Sequence, residues 1–283
     1  MEVFPRLSRW LASHMGDLDA LVFDIDGVLL INGGPMGGSR ELLAMLRREA
    51  IKVALLTNDG NNSTVDKALT LKRLGLDVAI EELTSCSDGL VELVEERGLH
   101  DQLFFIMGNL GTPCFAEKAG LRTTRQIGKL SECRGVIVGD EGYDWQSVIN
   151  AVVNYFIGKP DALFVVPNPD EFYPARPGEI IITSGGIGRF VLRVLSAYGV
   201  AVSPIYLGKP HAPIFRKNHR ELEKRHGGSI ERGRVLMVGD FLDSDIAGAN
   251  EFGYRSALML TGITDRKRLQ ASAIVPDLVF ERL

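Results

Sequence analysis

Two aspartates separated by one residue follow a short apolar run near the start of this chain. The run is Leu21-Val22-Phe23, the acids are Asp24 and Asp26, and Gly27 comes next. A short apolar run bounded by polar residues and glycine indicates a buried strand, and open α/β sheets bind ligands at the carboxyl ends of their strands. Aspartates are rarely buried without partners. The pair therefore indicates either a strand-end turn or a site that holds a cation or hydrogen-bond donors.

Further strand ends and turns carry polar side chains that could serve the same site. They are Thr57 and Asn58 after the apolar run 53–56, Lys209 between Gly208 and Pro210, and Asp240 and Asp245 after the apolar run 235–238. The Thr hydroxyl, the Asn amide and nearby N–H groups could hold an anion, or the stretch could be a turn and a helix cap. Asp245 could likewise cap the helix that follows it.

In this order the residues resemble the four motifs of the haloacid dehalogenase (HAD) superfamily, and the resemblance covers nearly the whole chain. Those motifs read Asp-x-Asp, then Thr or Ser, then Lys, then Gly-Asp with a further Asp a few residues later. The resemblance implies an α/β fold whose core is a doubly wound, Rossmann-like parallel sheet. The resemblance also implies that dehalogenase members lack an acid at the position of Asp26, because carbon–halogen cleavage needs no protonated leaving oxygen. We therefore expect an enzyme that acts on phosphoryl groups.

The resemblance also implies catalytic roles. Asp24 would attack phosphorus to form an aspartyl-phosphate, although the spacing alone would allow either aspartate to be the nucleophile. Asp26 would protonate the leaving oxygen and later deprotonate the attacking water. Thr57 and Asn58 would hold the phosphoryl oxygens, and Lys209 would neutralise charge on the nucleophile and the phosphate.

A divalent cation completes the implied site. Mg2+ prefers oxygen ligands and usually binds one or two carboxylates together with substrate phosphate. The resemblance assigns it to the carboxylates of Asp24 and Asp240 and the backbone carbonyl of Asp26. Asp245 would orient Lys209 or metal-bound water.

The spacing of these motifs predicts an inserted domain. About 150 residues separate Thr57 from Lys209, far more than one crossover connection needs. Short apolar runs alternate with amphipathic segments, including 41–49, 65–74, 187–198 and 214–226, as in βαβ units. We therefore predict a discontinuous catalytic core of residues 15–84 and 186–283 and an α/β cap of residues 85–185. The glycine-rich run 184–188 is expected to connect the cap to the core.

The insertion resembles the class IIA cap of p-nitrophenyl-phosphatase-like members. The similarity lies in Asn168-Pro169-Asp170 and in the later Pro177-Gly178. We predict that Asn168 and Asp170 determine substrate specificity, because the neighbouring prolines restrict the backbone that carries them. The alternative is that Asn-Pro-Asp only forms a turn.

Composition narrows the function further. The chain has 283 residues, a formal net charge of −4 and three cysteines. This charge gives no electrostatic footprint for nucleic acid or for an anionic membrane surface. The cysteines form no C-x-x-C motif, and no apolar run approaches the length that spans a bilayer, so we expect a cytoplasmic protein.

These observations predict a Mg2+-dependent phosphatase that hydrolyses a small phosphorylated metabolite. Two alternatives use the same residues: a phosphotransferase that passes the phosphoryl group to another acceptor, and a non-catalytic protein that binds a phosphate ligand. The sequence also leaves a homodimer open, since caps of similar proteins often mediate dimers.

Overall fold

The computed structural model describes residues 2–176 and 178–283, so Pro177 of the Pro-Gly pair lies outside the described residues. In chain order the strands are β1 (Ala20–Phe23), β2 (Leu30–Ile31), β3 (Gly34–Pro35), β4 (Lys52–Thr57), β5 (Leu83–Ser85), β6 (Leu103–Met107), β7 (Arg122–Thr124), β8 (Gly135–Val138), β9 (Leu163–Val166), β10 (Phe172–Arg176), β11 (Glu179–Ile182), β12 (Pro204–Tyr206), β13 (Val235–Gly239), β14 (Arg255–Met259) and β15 (Leu278–Phe280).

The α-helices alternate with these strands, as the periodicity of the sequence predicts. They are α1 (Leu7–His14), α2 (Ser39–Arg48), α3 (Thr64–Arg73), α4 (Gly89–Arg97), α5 (Phe115–Lys118), α6 (Asn150–Gly158), α7 (Ser184–Ala197), α8 (Ala212–His226), α9 (Ala247–Phe252) and α10 (Arg266–Ala271). The amphipathic segments 41–49, 65–74, 187–198 and 214–226 correspond to α2, α3, α7 and α8.

The chain divides into two compact units. The first contains residues 1–57, 64–84 and 209–283, and the second contains residues 58–63 and 85–208. In the described part of the first unit, the main sheet has the strand order β15-β14-β13-β1-β4-β5. Neighbouring pairs from β15 to β4 are parallel. The order reverses between β13 and β1, so the predicted doubly wound sheet is confirmed.

The central strands of this sheet are buried throughout. Every residue of β1 and β13 is buried, as expected for parallel strands with helices on both faces. Phe23 is in register with Val238 on one side and with Leu55 on the other. This register fixes where β1 ends relative to β13 and β4. The residues that follow Phe23 therefore lie beside the ends of these two strands.

The second unit has a parallel sheet of its own. Its strand order is β12-β9-β8-β6-β7, and all neighbouring strands in it are parallel. Strands β10 and β11 form a separate antiparallel hairpin. Apolar clusters cover the sheet, with Phe104 and Ile106 in one and Phe105 and Met107 in the other.

The second unit extends further along the chain than the predicted cap. The sequence predicts that the cap ends at residue 185. In the structure this unit continues to residue 208, because β12 pairs with β9. The glycine-rich run does not connect two domains but begins α7. A Cβ on Gly185 would lie 2.1 Å from the carbonyl oxygen of Pro169, so glycine is what allows the helix to pack this closely. The unit also takes in residues 58–63, and the first unit includes residues before position 15.

No helix within residues 2–176 and 178–283 combines the length and apolar character needed to cross a membrane. The three cysteines, Cys86, Cys114 and Cys133, are buried free thiols.

Candidate active site

Asp24 follows the last residue of β1, at the point where the strand order of the first unit reverses. Its backbone N–H donates to the carbonyl oxygen of Val238 at 2.9 Å, which fixes it to the neighbouring strand β13. Asp240 comes directly after β13. The two carboxylates therefore lie side by side at the carboxyl ends of adjacent parallel strands, where sheets of this type bind ligands.

Backbone groups hold the carboxylates of Asp240 and Asp245 in place. Asp245 Oδ2 accepts hydrogen bonds from the N–H groups of Asp240 and Phe241, each at 3.0 Å. Asp240 Oδ2 accepts from Ile263 N at 2.6 Å. A Cβ on Gly262 would lie 1.8 Å from Asp240 Oδ2, so only glycine leaves room for this carboxylate.

Lys209 bridges two of the acids. Its buried ammonium group lies 2.5 Å from Asp24 Oδ1 and 2.6 Å from Asp245 Oδ1. Carboxylate oxygens of Asp24, Asp240 and Asp245 lie within 4.8 Å of one another. The structure thus brings together four residues that the sequence selected from positions more than 200 apart.

The electrostatics of this cluster favour an additional cation. Burial raises the pKa of Asp24 to about 7, and the charge of Asp245 adds to the rise while Lys209 opposes it. Burial, followed by the charges of Asp245 and Asp24, also raises the pKa of Asp240 well above its usual range. One ammonium group does not balance three clustered carboxylates. An oxygen-only donor set with excess negative charge suits a hard divalent cation such as Mg2+.

Asp26 lies at the rim of this cluster. Its side chain is 70% exposed, and its Oδ2 lies 3.1 Å from the Nζ of Lys67, whose own side chain is only 13% exposed. Lys67 belongs to the first turns of α3. Lys67 is not among the residues predicted from the sequence, because an isolated lysine on an amphipathic helix looks like an ordinary surface residue.

Thr57 and Asn58 occupy different environments. Thr57 is the buried last residue of β4, which pairs with β1, so both strands end at the same edge of the sheet. Asn58 belongs to the second unit, where its amide donates to Asp170 Oδ2 at 3.0 Å. The amide thus has a protein partner, and its role in holding phosphate stays a prediction.

The Asn-Pro-Asp segment forms a hydrogen-bonded turn inside the second unit. Asn168 is buried, and its Oδ1 accepts from Asp170 N at 3.0 Å while its Nδ2 donates to Asp140 Oδ2 at 3.4 Å. Its carbonyl oxygen accepts from the hydroxyl of Ser184 at 3.0 Å. These contacts favour the turn interpretation over specificity, which remains a prediction for Asn168 and Asp170.

Asp140 is a second buried polar residue that the sequence predictions do not include. It is buried, its Oδ1 accepts from Ser184 N at 2.7 Å, and burial raises its pKa. A signal for it exists, because Val138-Gly139-Asp140 repeats the pattern of Val238-Gly239-Asp240 at the end of a strand.

Two family models match the N-terminal and C-terminal parts of the chain. A model of haloacid dehalogenase-like hydrolases matches residues 21–122, and a HAD-hydrolase-like model matches residues 206–283. Between them they contain all four predicted motifs. The chain belongs to the haloacid dehalogenase-like hydrolases, which confirms the family inferred from the sequence.

Similar proteins extend the comparison over the full length. The chain is 28% identical to chronophin of Mus musculus over 267 residues, covering 92% of this chain and 87% of the relative. A crystal structure described as a possible sugar phosphatase of the HAD superfamily from Cytophaga hutchinsonii has a TM-score of 0.81 and 26% identity. The match covers 100% of this chain and 98% of the chain in that crystal structure. The 4-nitrophenylphosphatase of Thermotoga maritima shares the fold, with a TM-score of 0.76, 21% identity and coverage of 94% and 95%. At the level of the fold, this similarity agrees with the predicted p-nitrophenyl-phosphatase-like grouping.

Proposed function

We propose that this HAD-type phosphomonoesterase is a Mg2+-dependent enzyme that hydrolyses a small phosphorylated metabolite through an aspartyl-phosphate on Asp24. The observation that carries the proposal is the position of Lys209, whose ammonium group lies within 2.6 Å of both Asp24 and Asp245. A phosphate monoester is a dianion, and a carboxylate attacks it only where positive charge compensates the repulsion. Lys209 supplies part of that charge at the nucleophile itself.

The proposed reaction has two steps, formation of the aspartyl-phosphate and its hydrolysis. In the first, Asp24 forms a bond to phosphorus while the bond to the leaving oxygen breaks, and Asp26 gives its proton to that oxygen. In the second, Asp26 takes a proton from water, the water oxygen attacks phosphorus, and Asp24 is released as a carboxylate. Thr57 would hold a phosphoryl oxygen through its hydroxyl.

The donor set fits the proposed metal. Asp24, Asp240 and the backbone carbonyl of Asp26 would hold Mg2+, and Asp245 would act through Lys209 and through the N–H groups that it accepts. The ion, when bound, neutralises and positions the phosphoryl group. The raised pKa values of Asp24 and Asp240 support this assignment, because a cation would relieve the repulsion that contributes to them.

A small substrate is supported by the inserted unit and by the relatives. The similar structure from Cytophaga hutchinsonii is described as a possible sugar phosphatase. An insertion of this size could act as a cap that excludes water and bulky phosphates from the site. The three free thiols support a cytoplasmic location, where cysteines are kept reduced.

A homodimer through the second unit is part of the proposal. Hairpin β10–β11 exposes Tyr173, Ile180 and Ile182, and the two isoleucine residues are 61% and 56% exposed. A second copy of the chain is a fitting occupant, since a two-fold contact would bury the same apolar surface on both protomers.

The test is a p-nitrophenyl phosphate assay with Mg2+, followed by a panel of metabolite phosphates. Chelation should abolish turnover and Mg2+ should restore it. Asp24→Asn should bind substrate and remain folded but lose turnover, because an amide is a far poorer nucleophile. Phosphorylated product on an added alcohol would favour the phosphotransferase. Binding without turnover in the Mg2+-loaded wild type would favour the non-catalytic alternative.

A further inference from the structure

Lys67 and Asp26 form an ion pair whose two members differ greatly in exposure. The Lys67 side chain is 13% exposed and that of Asp26 is 70% exposed, with Nζ 3.1 Å from Oδ2. Both residues belong to the first unit. The lysine lies on α3 beside Ala68 and four residues before Leu71, which are buried in the core of this unit. With 13% of its side chain exposed, the lysine is the more restrained partner, and the more exposed aspartate is the more mobile one.

An exposed aspartate has two rotatable side-chain bonds and samples several staggered conformations. A general acid works only when its oxygen is within hydrogen-bond reach of the leaving group, and misplacement by about 1 Å can cost about 100-fold in rate. The contact with Lys67 uses Oδ2 of Asp26. Oδ1 is left as the oxygen that would carry the transferred proton.

We propose that Lys67 is a positioning residue that holds the Asp26 carboxyl group in the orientation for proton transfer to and from the leaving oxygen. This inference rests on the proposed phosphatase function, in which Asp26 is the acid and base. Lys67 keeps its own protons throughout, and the transferred proton moves between Asp26, the leaving oxygen and water. The consequence is a dependence on the leaving group, because only poor leaving groups need protonation as they depart.

The experiment compares two substrates in the Mg2+-loaded full-length protein. p-Nitrophenyl phosphate has a good leaving group, and glycerol phosphate has a poor one. In Lys67→Met, kcat on glycerol phosphate should fall about 10-fold or more, a part of the 10²–10⁴-fold that general acids contribute. On p-nitrophenyl phosphate kcat should fall less than about 3-fold, and KM should stay nearly constant for both substrates. Lys67→Arg keeps a cationic donor and should recover most of the lost rate.

Lys72→Met is the matched control, since Lys72 is an exposed lysine on the same helix. It should leave both rates unchanged. Retained activity of Lys67→Met on p-nitrophenyl phosphate itself shows that the variant is folded. An equal loss on both substrates, a change confined to KM, or full activity on glycerol phosphate would overturn the positioning role.

Asp26→Asn, measured alongside, separates this inference from the proposed function. If Asp26→Asn discriminates between the two leaving groups and Lys67→Met does not, only the role of Lys67 is wrong. If Asp26→Asn does not discriminate, Asp26 is not the general acid and the role of Lys67 is overturned with it. A wild type that hydrolyses neither phosphate would contradict the proposed function itself.

Discussion

At the scale of single residues, the site concentrates charge that the protein alone does not balance. Asp24, Asp240 and Asp245 share the single ammonium group of Lys209 within the cluster that the structure describes. Ionised carboxylates in such a place destabilise the folded state, and a bound cation relieves this cost. The ionised form of Asp24 that the proposed reaction needs is therefore the form that destabilises the folded state. The size of this effect depends on pH.

We expect the metal-free protein to lose stability as the pH rises from about 4 to about 7. The pKa of Asp24 is about 7 in the folded protein and has an ordinary value of 3.8, so the folded state binds more protons than the unfolded chain between these values. The stability linked to this group is fully present below pH 3.8 and is lost as the pH rises through 7. The loss is at most about 4 kcal/mol.

Urea unfolding in the presence of a chelator measures this effect. Asp24→Asn cannot ionise, so it should be more stable than the wild type by about 2–4 kcal/mol at pH 8 and similar to it only below about pH 4. Mg2+ should stabilise the wild type more than the variant. The same pH dependence in both proteins would contradict the raised pKa of Asp24.

Replacing Asp26 should affect substrates according to their leaving groups. Asp26→Asn removes the proton donor, so kcat/KM for alkyl phosphates should fall by about 10²–10⁴, with a much smaller loss for p-nitrophenyl phosphate. Steady-state kinetics on matched pairs of phosphates measure the difference. If both classes suffer equally, Asp26 is not the general acid.

At the scale of elements, a buried carboxylate joins two helices of the first unit. Glu82 is buried, and Arg47 of α2 contacts both of its oxygens, with Nη2 and Oε2 2.5 Å apart. Arg225 of α8 approaches Glu82 Oε1 at 3.4 Å and donates to the carbonyl oxygen of Val53 at 2.8 Å. The negative charge of Glu82 thus pairs with the positive charges of two guanidinium groups near the edge of the sheet.

Glu82→Ala should lower the free energy of unfolding by about 3 kcal/mol, because it removes the buried carboxylate that Arg47 and the partly buried Arg225 both contact. The neighbouring Glu81 is exposed, so Glu81→Ala should change stability by less than about 0.5 kcal/mol. Urea denaturation of both variants tests the difference. Similar effects at the two positions would show that the buried pairing does not matter to stability.

At the scale of the whole molecule, the apolar face of hairpin β10–β11 bears on assembly. Ile180→Glu and Ile182→Glu place charge on the surface proposed to bind a second copy, and they should shift a dimer to monomer in sedimentation experiments. Val275→Glu is the control, because Val275 is an exposed apolar residue of the first unit. A wild type that sediments as a monomer would refute the proposed dimer.

The sequence was sufficient to predict the fold class and to select the four clustered residues Asp24, Lys209, Asp240 and Asp245. Strand ends that finish in Asp, Thr or Gly-Asp are local patterns, and the parallel topology brings such ends to one edge of the sheet. Asp24 and Asp240 could therefore be selected before any distance was known, and Lys209 was selected by its place in the order of the family motifs. The inserted domain was also visible, since the length between two motifs needs no tertiary information.

Only the tertiary structure decided which contacts these residues make. The boundary at 208 depends on the pairing of β12 with β9, a contact between strands about 40 residues apart that no local pattern encodes. Asn58 and Asp170 hydrogen-bond across 112 positions, and Lys67 and Asp26 pair across 41. A hydrogen bond or an ion pair depends on distances of a few ångströms, whereas a sequence motif specifies only residue type and spacing. The sequence by itself therefore determined the chemistry of the strand ends, and the packing of the chain determined which side chains meet there.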